Sequence, residues 1–310
     1  MNNGLLETVG GEIVVTANAI KKSNFTWDIG INFSKWKTTV ESLPEGVPNQ
    51  YLDGFTGTGI YNIAPEERED GSIIVYEYGQ IRGGAFQRVN TDNGSFDASQ
   101  PYNSQGALVI NDDPTSSGYG FPLADPNLRV IGNPNPDFLV GISNTFGWKG
   151  LSLSFLFDIR EGGDIWNGTK GALSFFGRTE LTENRGTISV FEGVNASDGG
   201  ANSIAVELDQ QWYQGNGGGF GSVDEHFVED GSFRRLRYLT LSYDFARIMK
   251  TSSLSHFTIS FTGRNLLLST PYTGFDPELS LVGSSSNGQG LDYFQQPNVK
   301  SYAFGINIGF

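Results

Sequence analysis

The chain has 310 residues, no cysteine, two histidines, 42 glycines, 13% aromatics and a formal net charge of −14. The missing thiols exclude a disulfide scaffold and any thiolate metal centre, and His226 and His256 leave little imidazole for ligation or acid–base work. The acidic balance argues against nucleic acid as a partner, because phosphate binding needs clustered Lys and Arg.

Glycine stands at roughly twice its usual ~7% while only 37% of residues are hydrophobic. That composition fits a long β protein with large polar loops. No run of about 18 apolar residues occurs, so no transmembrane helix is expected. The opening stretch "MNNGLLETVGGE" lacks the basic start and apolar core of a signal peptide, which taken alone predicts a cytoplasmic protein.

Seven segments alternate apolar and polar residues with the period of a β-strand. Residues 12–19 place Ile13, Val15, Ala17 and Ala19 on one face, and residues 25–34 set Phe25, Trp27, Ile29, Ile31 and Phe33 against Thr26, Asp28, Gly30, Asn32 and Ser34. Within residues 40–135, "IIVYEYGQIRGG" (Ile73–Gly84) and "GALVIND" (Gly106–Asp112) lack a continuous apolar face and read as loop hairpins. "NPNPD" (Asn133–Asp137) is a rigid entry to the third strand, which carries Phe138, Val140, Ile142, Phe146 and Trp148 on one face. Trp148-Lys149-Gly150 is a hairpin-sized turn into residues 151–160, where Leu151, Leu153, Phe155, Phe157 and Ile159 alternate with Ser152, Ser154, Asp158 and Arg160. Residues 236–245, 256–264 and 301–310 complete the set, with Leu239, Leu241 and Tyr243, then Phe257, Ile259 and Phe261, then Tyr302, Phe304, Ile306, Ile308 and Phe310 on the apolar face.

The polar faces carry mostly Ser, Thr, Gly and Asn rather than the Lys and Glu of a solvated sandwich surface, which fits a wide lumen. Segment lengths near ten residues match a tilted membrane-crossing strand. Aromatics gather at strand ends beside the short turns, as in an interfacial girdle. Short turns after strands one, three and five alternate with long loops after strands two, four and six. The expected fold class is therefore all-β, an antiparallel up-and-down meander forming a partial transmembrane barrel. The alternative is a secreted soluble β-sandwich serving as a binding module or adhesin, which would have to fold its apolar faces against each other.

Isolated motifs offer little chemistry. "GRNLL" (Gly263–Leu267) and "TGFDPE" (Thr273–Glu278) read first as turn chemistry, "EREDG" (Glu67–Gly71) as a solvated loop, and "GNGGGFG" (Gly215–Gly221) lacks the Lys-Ser/Thr of a phosphate cradle. No catalytic set can be placed, no enzyme activity is expected, and nothing calls for a cofactor or metal.

Three long stretches carry a resemblance: "RVIGNPNPDFLVGISNTFGWKGLSLSFLFDIREGGDIWNGTKGA" (Arg129–Ala172), "VEDGSFRRLRYLTLSYDF" (Val228–Phe245) and "FTGRNLLLSTPYTGFDPELS" (Phe261–Ser280). The sequence resembles the C-terminal part of the SusC/RagA family of TonB-linked outer-membrane proteins. The resemblance implies active import of glycans or peptides across the outer membrane of a Bacteroidetes-type bacterium, driven by TonB, with a SusD-like surface lipoprotein as partner. It implies that residues 1–310 are a barrel segment without the plug domain, with spanning strands near 11–20, 25–36, 137–148, 150–160, 232–246, 254–267 and 300–310 and external loops near 40–135, 162–231 and 269–299. Asp158, Arg160 and Arg264, with the loop aromatics Trp166, Trp212 and Phe220, would then line the substrate path. Tyr302, Phe304, Ile306, Ile308 and Phe310 would be the label read by the barrel-assembly machinery. Alone, the chain should form a curved open sheet in outer-membrane lipid, unpaired at the strands near Ile13 and Phe304.

Overall fold

The computed structural model describes residues 4–68, 70–89, 105–249, 254–282 and 288–309. Each of the alternating segments becomes a strand of one seven-stranded antiparallel sheet, paired in chain order. The strands are β1 (Leu5–Lys22), β2 (Phe25–Ser42), β3 (Phe138–Trp148), β4 (Leu151–Glu161), β5 (Phe233–Asp244), β6 (His256–Ser269) and β7 (Ser301–Gly309). Among the described residues, β1 and β7 each have one partner, so the sheet is open.

Register shows that the two faces are separate surfaces, because directly paired residues point to the same side. One row runs Trp27, Phe146, Leu153, Leu241, Phe261, Phe304, and its neighbour runs Phe25, Trp148, Leu151, Tyr243, Ile259, Ile306. Ile29, Ile31, Phe155, Leu241, Ile259 and Ile306 thus share one face, as the alternation predicts. No second sheet covers it among the described residues: Leu241 is 45% exposed, Phe261 49% and Phe304 67%. Asn144 interrupts the apolar row between Ile29 and Phe155, and there it accepts a 3.0 Å hydrogen bond from Trp27 Nε1. A polar side chain on an otherwise apolar face is tolerated because it satisfies the indole donor that would face the same surroundings.

Two features depart from the sequence reading. β1 and β2 are 18 residues each, about 60 Å at the usual strand rise. A bulge between Asn18 and Ile20 also takes Ala19 out of register, so Ile20 instead of Ala19 pairs with Trp27. Beyond Ser34 the alternation persists while its polarity reverses: Lys35 and Lys37 follow Phe33 on the outer side, and Trp36, Thr38 and Val40 lie on the inner side. At the opposite end two residues join β1 to β2 and two join β3 to β4, whereas the longer β5–β6 connection carries a short helix, Ala246–Met249. Lys149 (φ 49°) and Gly150 (φ 96°) join Trp148 to Leu151, the pair of left-handed residues that a two-residue hairpin turn demands.

The three long connections gather beyond one end of the sheet into a cap. Asn49–Phe55, Thr58–Ile63, Gln80–Gly83 and Arg129–Gly132 make a four-stranded sheet, and Val228–Asp230, Asp164–Asn167 and Leu291–Asp292 a three-stranded one. Helix α1 (Gly168–Phe175) is capped by Asn167, whose side chain accepts from Lys170 N. The hydrophobic core of the chain lies here: Ile60, Ile81, Ala85, Ile131, Trp166, Phe227 and Leu291 are at most 1% exposed and form one cluster. Neither Ile73–Gly84 nor Gly106–Asp112 supplies a strand of the large sheet: Ile73 and Ile74 pair with Glu67 and Glu66, Glu77 makes a single antiparallel bridge to Thr39 near the far end of β2, and Val109 and Ile110 pair with Val194 and Asn195. None of the helices among the described residues is long and apolar enough to cross a membrane, which says nothing of strands.

Candidate functional site on the polar face

The inner face carries Thr26, Asp28, Gly30, Asn32 and Ser34 of β2 beside Gly141, Ser143 and Thr145 of β3 and Ser152, Ser154 and Asp158 of β4. Toward the cap it becomes charged. In β5 a bulge at Arg237 breaks the register between Leu236 and Tyr238 against both neighbouring strands. The extra residue lets Arg235, Arg237 and Tyr238 all face inward, while Leu236 stays with Phe157 and Leu267.

The two arginines hold the segment that follows β6. Arg235 Nη2 donates to Asp276 Oδ1 at 2.5 Å, both side chains being 3% exposed, and Arg235 Nε lies 2.9 Å from Glu278 Oε2. Arg237 donates from Nε to Asp158 Oδ2 at 2.7 Å and from Nη1 to Glu278 Oε2 at 2.6 Å, with its Nη2 paired to Glu278 Oε1. This fork-on-carboxylate geometry is the strong form of the ion pair, and lysine could not reproduce it. Both guanidinium groups also sit over the Phe233 ring, at 5.5 and 5.7 Å from its centroid. Asp276 is completed by Asn298 Nδ2 at 3.0 Å and by the Glu278 N–H at 3.0 Å. The clamp therefore has a sealed half, Arg235 with Asp276, and a half open to solvent, Arg237 with Asp158 and Glu278.

Further stitches anchor the same segment. Glu229 accepts from Lys170 Nζ at 2.8 Å and from Thr273 N at 2.7 Å; burial would raise its pKa, but these donors outweigh it and hold the carboxyl below its usual range. Tyr272 donates to Asp292 Oδ2 at 2.6 Å. In the "GRNLL" stretch Asn265 adopts φ 52°, a left-handed conformation that asparagine tolerates, and its amide donates to Val299 O at 3.1 Å. In the cap, burial pushes the Asp224 carboxyl up to about 6, and burial reinforced by Asp230 and Asp137 does the same for Asp164 despite a 2.7 Å bond from Asn133 N.

The residues expected along a substrate path do not converge. Asp158 is bound into the arginine clamp, and Arg160 donates to Pro134 O at 2.6 Å and Gly162 O at 3.3 Å. Arg264 is exposed farther along the inner face, opposite Tyr238 and Ser301. Trp166 is 1% exposed within the cap core. Trp212 stacks on Phe121 (5.3 Å) and Phe86 (6.3 Å), and Phe220 packs against Phe175 (5.2 Å) and Phe176 (6.2 Å). Tyr302, Phe304, Ile306 and Ile308 are exposed along one side of the edge strand β7, and Phe310 lies outside the described residues. The sequence reading passed over Arg235, Arg237, Asp276 and Glu278 as a group. Their signal was present: three arginines, Arg234, Arg235 and Arg237, interrupting the β5 strand, and two carboxylates two residues apart in "DPE".

No family model matches the chain. In sequence it is similar to TonB-dependent receptor P3 of Formosa agariphila, 27% identical over 317 residues, and to TonB-dependent receptor SusC of Bacteroides thetaiotaomicron, 21% identical over 314 residues. Its relatives are TonB-dependent receptors, SusC among them. All of this chain is covered in those comparisons, yet it spans 29% and 27% of the relatives' own lengths. In fold it is similar to the RagAB peptide transporter, with TM-score 0.57, 19% identity and coverage of 99% of this chain and 30% of that one. The closed-closed state of the RagAB peptide importer gives TM-score 0.59 at the same identity. The SusC/RagA-type wall thus matches the antiparallel meander described above.

Proposed function

We propose that the chain forms one arc of the wall of an outer-membrane, TonB-dependent nutrient importer. The observation that carries this reading is the broad apolar face, from Phe25 and Trp27 to Phe304 and Ile306, broken by Asn144 and left open on the outside of a sheet whose inner face is polar. Lipid accepts such a face, and water does not at this size. In the same reading the open edges at β1 and β7 meet further strands of a larger barrel, since unpaired backbone groups are not tolerated in hydrocarbon.

Cargo follows the relatives: a glycan, as SusC-type resemblance implies, or a peptide, as RagAB transports. A SusD-like surface lipoprotein would sit over the cap, and TonB would act through a portion of such receptors that this chain does not span. Asp158, Arg160 and Arg264 would face the lumen, and Tyr302, Phe304, Ile306 and Ile308 would present the outward side of β7 to the assembly machinery. The experiment is refolding with and without detergent. A β-rich species should persist only with detergent or lipid, and a monodisperse monomer in plain buffer would overturn the importer reading in favour of a soluble module.

A further inference from the structure

A cleft of about 670 Å³ lies between the inner side of β2 and the clamped segment. One wall is Trp36 and Thr38, the other is Pro277, Glu278, Leu279, Ser280 and Val282, and Asn135 and Gln289 border it. Its size falls within the range of about 300–1,000 Å³ of small-molecule sites. Trp36, 39% exposed, lines the cleft together with Tyr78, and Gly10 opposite leaves it room: a Cβ there would stand 2.8 Å from the Trp36 Cβ. The second wall is held by Arg235 and Arg237 on Asp276 and Glu278, and by the Leu281 N–H on Leu291 O at 2.6 Å.

We infer that this cleft binds one residue of a neutral glycan, its ring stacked on Trp36 and its hydroxyls on Thr38, Asn135, Ser280 and Gln289. The inference rests on the importer reading and commits its cargo. Three observations favour an uncharged sugar. The charges bordering the cleft are already balanced: Glu278 is paired to two arginines, and Arg160, fixed by the Pro134 and Gly162 carbonyls, has the carboxylates of Glu278 and Asp230 as its counter-charges. An extended peptide would need a free strand edge for its main chain. Here Thr38 O already accepts from Tyr78 N at 2.8 Å and Val40 N donates to Tyr76 O at 3.0 Å, and Pro134, Pro136 and Pro277 carry no N–H. Ser280 Oγ is buried without a partner, and the aromatic plane with scattered hydroxyl and amide groups matches a sugar's apolar face and polar rim.

The test is retention of the full chain, folded in detergent micelles, on an array printed with neutral oligosaccharides, with sulfated and uronic-acid oligosaccharides, and with short peptides. Neutral oligosaccharides should retain the chain, Trp36→Phe should keep most of the binding, Trp36→Ala should lose about tenfold or more, and Trp148→Ala, at the exposed turn at the opposite end of the sheet, should match the parent. Failure of the folded chain to bind any neutral oligosaccharide, undiminished binding by Trp36→Ala, or preference for acidic sugars or peptides would overturn the inference. Detergent dependence is read separately. A folded, detergent-requiring chain that ignores neutral glycans defeats only the cleft, whereas a chain monodisperse in plain buffer defeats the importer reading whatever it binds.

Discussion

The sheet and the cap satisfy the hydrophobic effect in opposite ways. In the sheet the large apolar side chains point away from the rest of the protein: Phe304 is 67% exposed and Ile306 59%. In the cap, the side chains of Ile60, Trp166, Phe227 and Leu291 are closed off to 1% or less. On the importer reading proposed above, the two parts meet different solvents, hydrocarbon around the strands and water around the loops. The same class of substitution should therefore have different consequences in the two parts.

The largest effects belong to the cap and its clamp. Asp276→Ala leaves Arg235 as a buried, poorly compensated charge and should destabilise the cap by about 3–5 kcal/mol, read as rapid proteolysis after β6 while the sheet keeps its β-type circular dichroism. Trp166→Ala should cost about 3–5 kcal/mol in the same assay. If either change melted sheet and cap together, the separation of the two regions would be wrong. Next comes the outward face, where Leu241→Arg should cost about 2–4 kcal/mol in bilayers if Leu241 lies near the midplane. A near-neutral result in a lipid refolding titration would mean that this face is solvated.

Smaller is the Asn144–Trp27 bond. Asn144→Ala should cost about 1–2 kcal/mol by stranding the indole N–H, and Trp27→Phe with Asn144→Leu together should recover most of it; an additive double variant would deny the coupling. The pH response belongs to the cap alone. Asp164 and Asp224, both held up at about 6, bind protons in the folded state that the unfolded state has released and lower cap stability as pH rises from about 4 to 6, while buried His226, held down to about 4, opposes them over the same window; two carboxyls against one imidazole leave a net fall. Each carboxyl contributes no more than about 2 kcal/mol. The slope should flatten in Asp224→Asn, and a midpoint that rises with pH across that window would reverse the sign.

Period-two alternation made the sheet legible, because register along an open two-sided wall is written in every second residue. The full length of β2 was not: after Phe33 the outer positions become Lys35 and Lys37 and the inner ones Trp36 and Val40, so a search for one apolar face stops where the surroundings change. The cap was largely illegible for a different reason. Its strands are short, such as Gln80–Gly83, Arg129–Gly132 and Leu291–Asp292, and they pair across wide sequence gaps that leave no local period. At the candidate site, Asp158 and Arg160 were visible as charges on a polar face, but the partner of Asp158 depends on the bulge at Arg237, which no spacing rule announced, and those of Arg160 are the main-chain carbonyls of Pro134 and Gly162. Trp166 belongs to the core because the parallel pairing with Leu291 encloses it.

The cap core draws Ile60 from the first long connection, Trp166 and Phe227 from the second and Leu291 from the third. Its contacts are therefore among the least local in the chain, and loop closure of that order slows folding. Strands β3 to β6 lie between Ile60 and Leu291 in sequence, and pairing of those strands is what brings the connections that carry the two residues together. Ordering of the cap is consequently a late kinetic event and a clock for assembly: burial of Trp166, followed by its fluorescence after dilution from urea into lipid, should lag the β-type circular dichroism signal. A cap that orders first would require those three connections to find one another without the wall that brings them together.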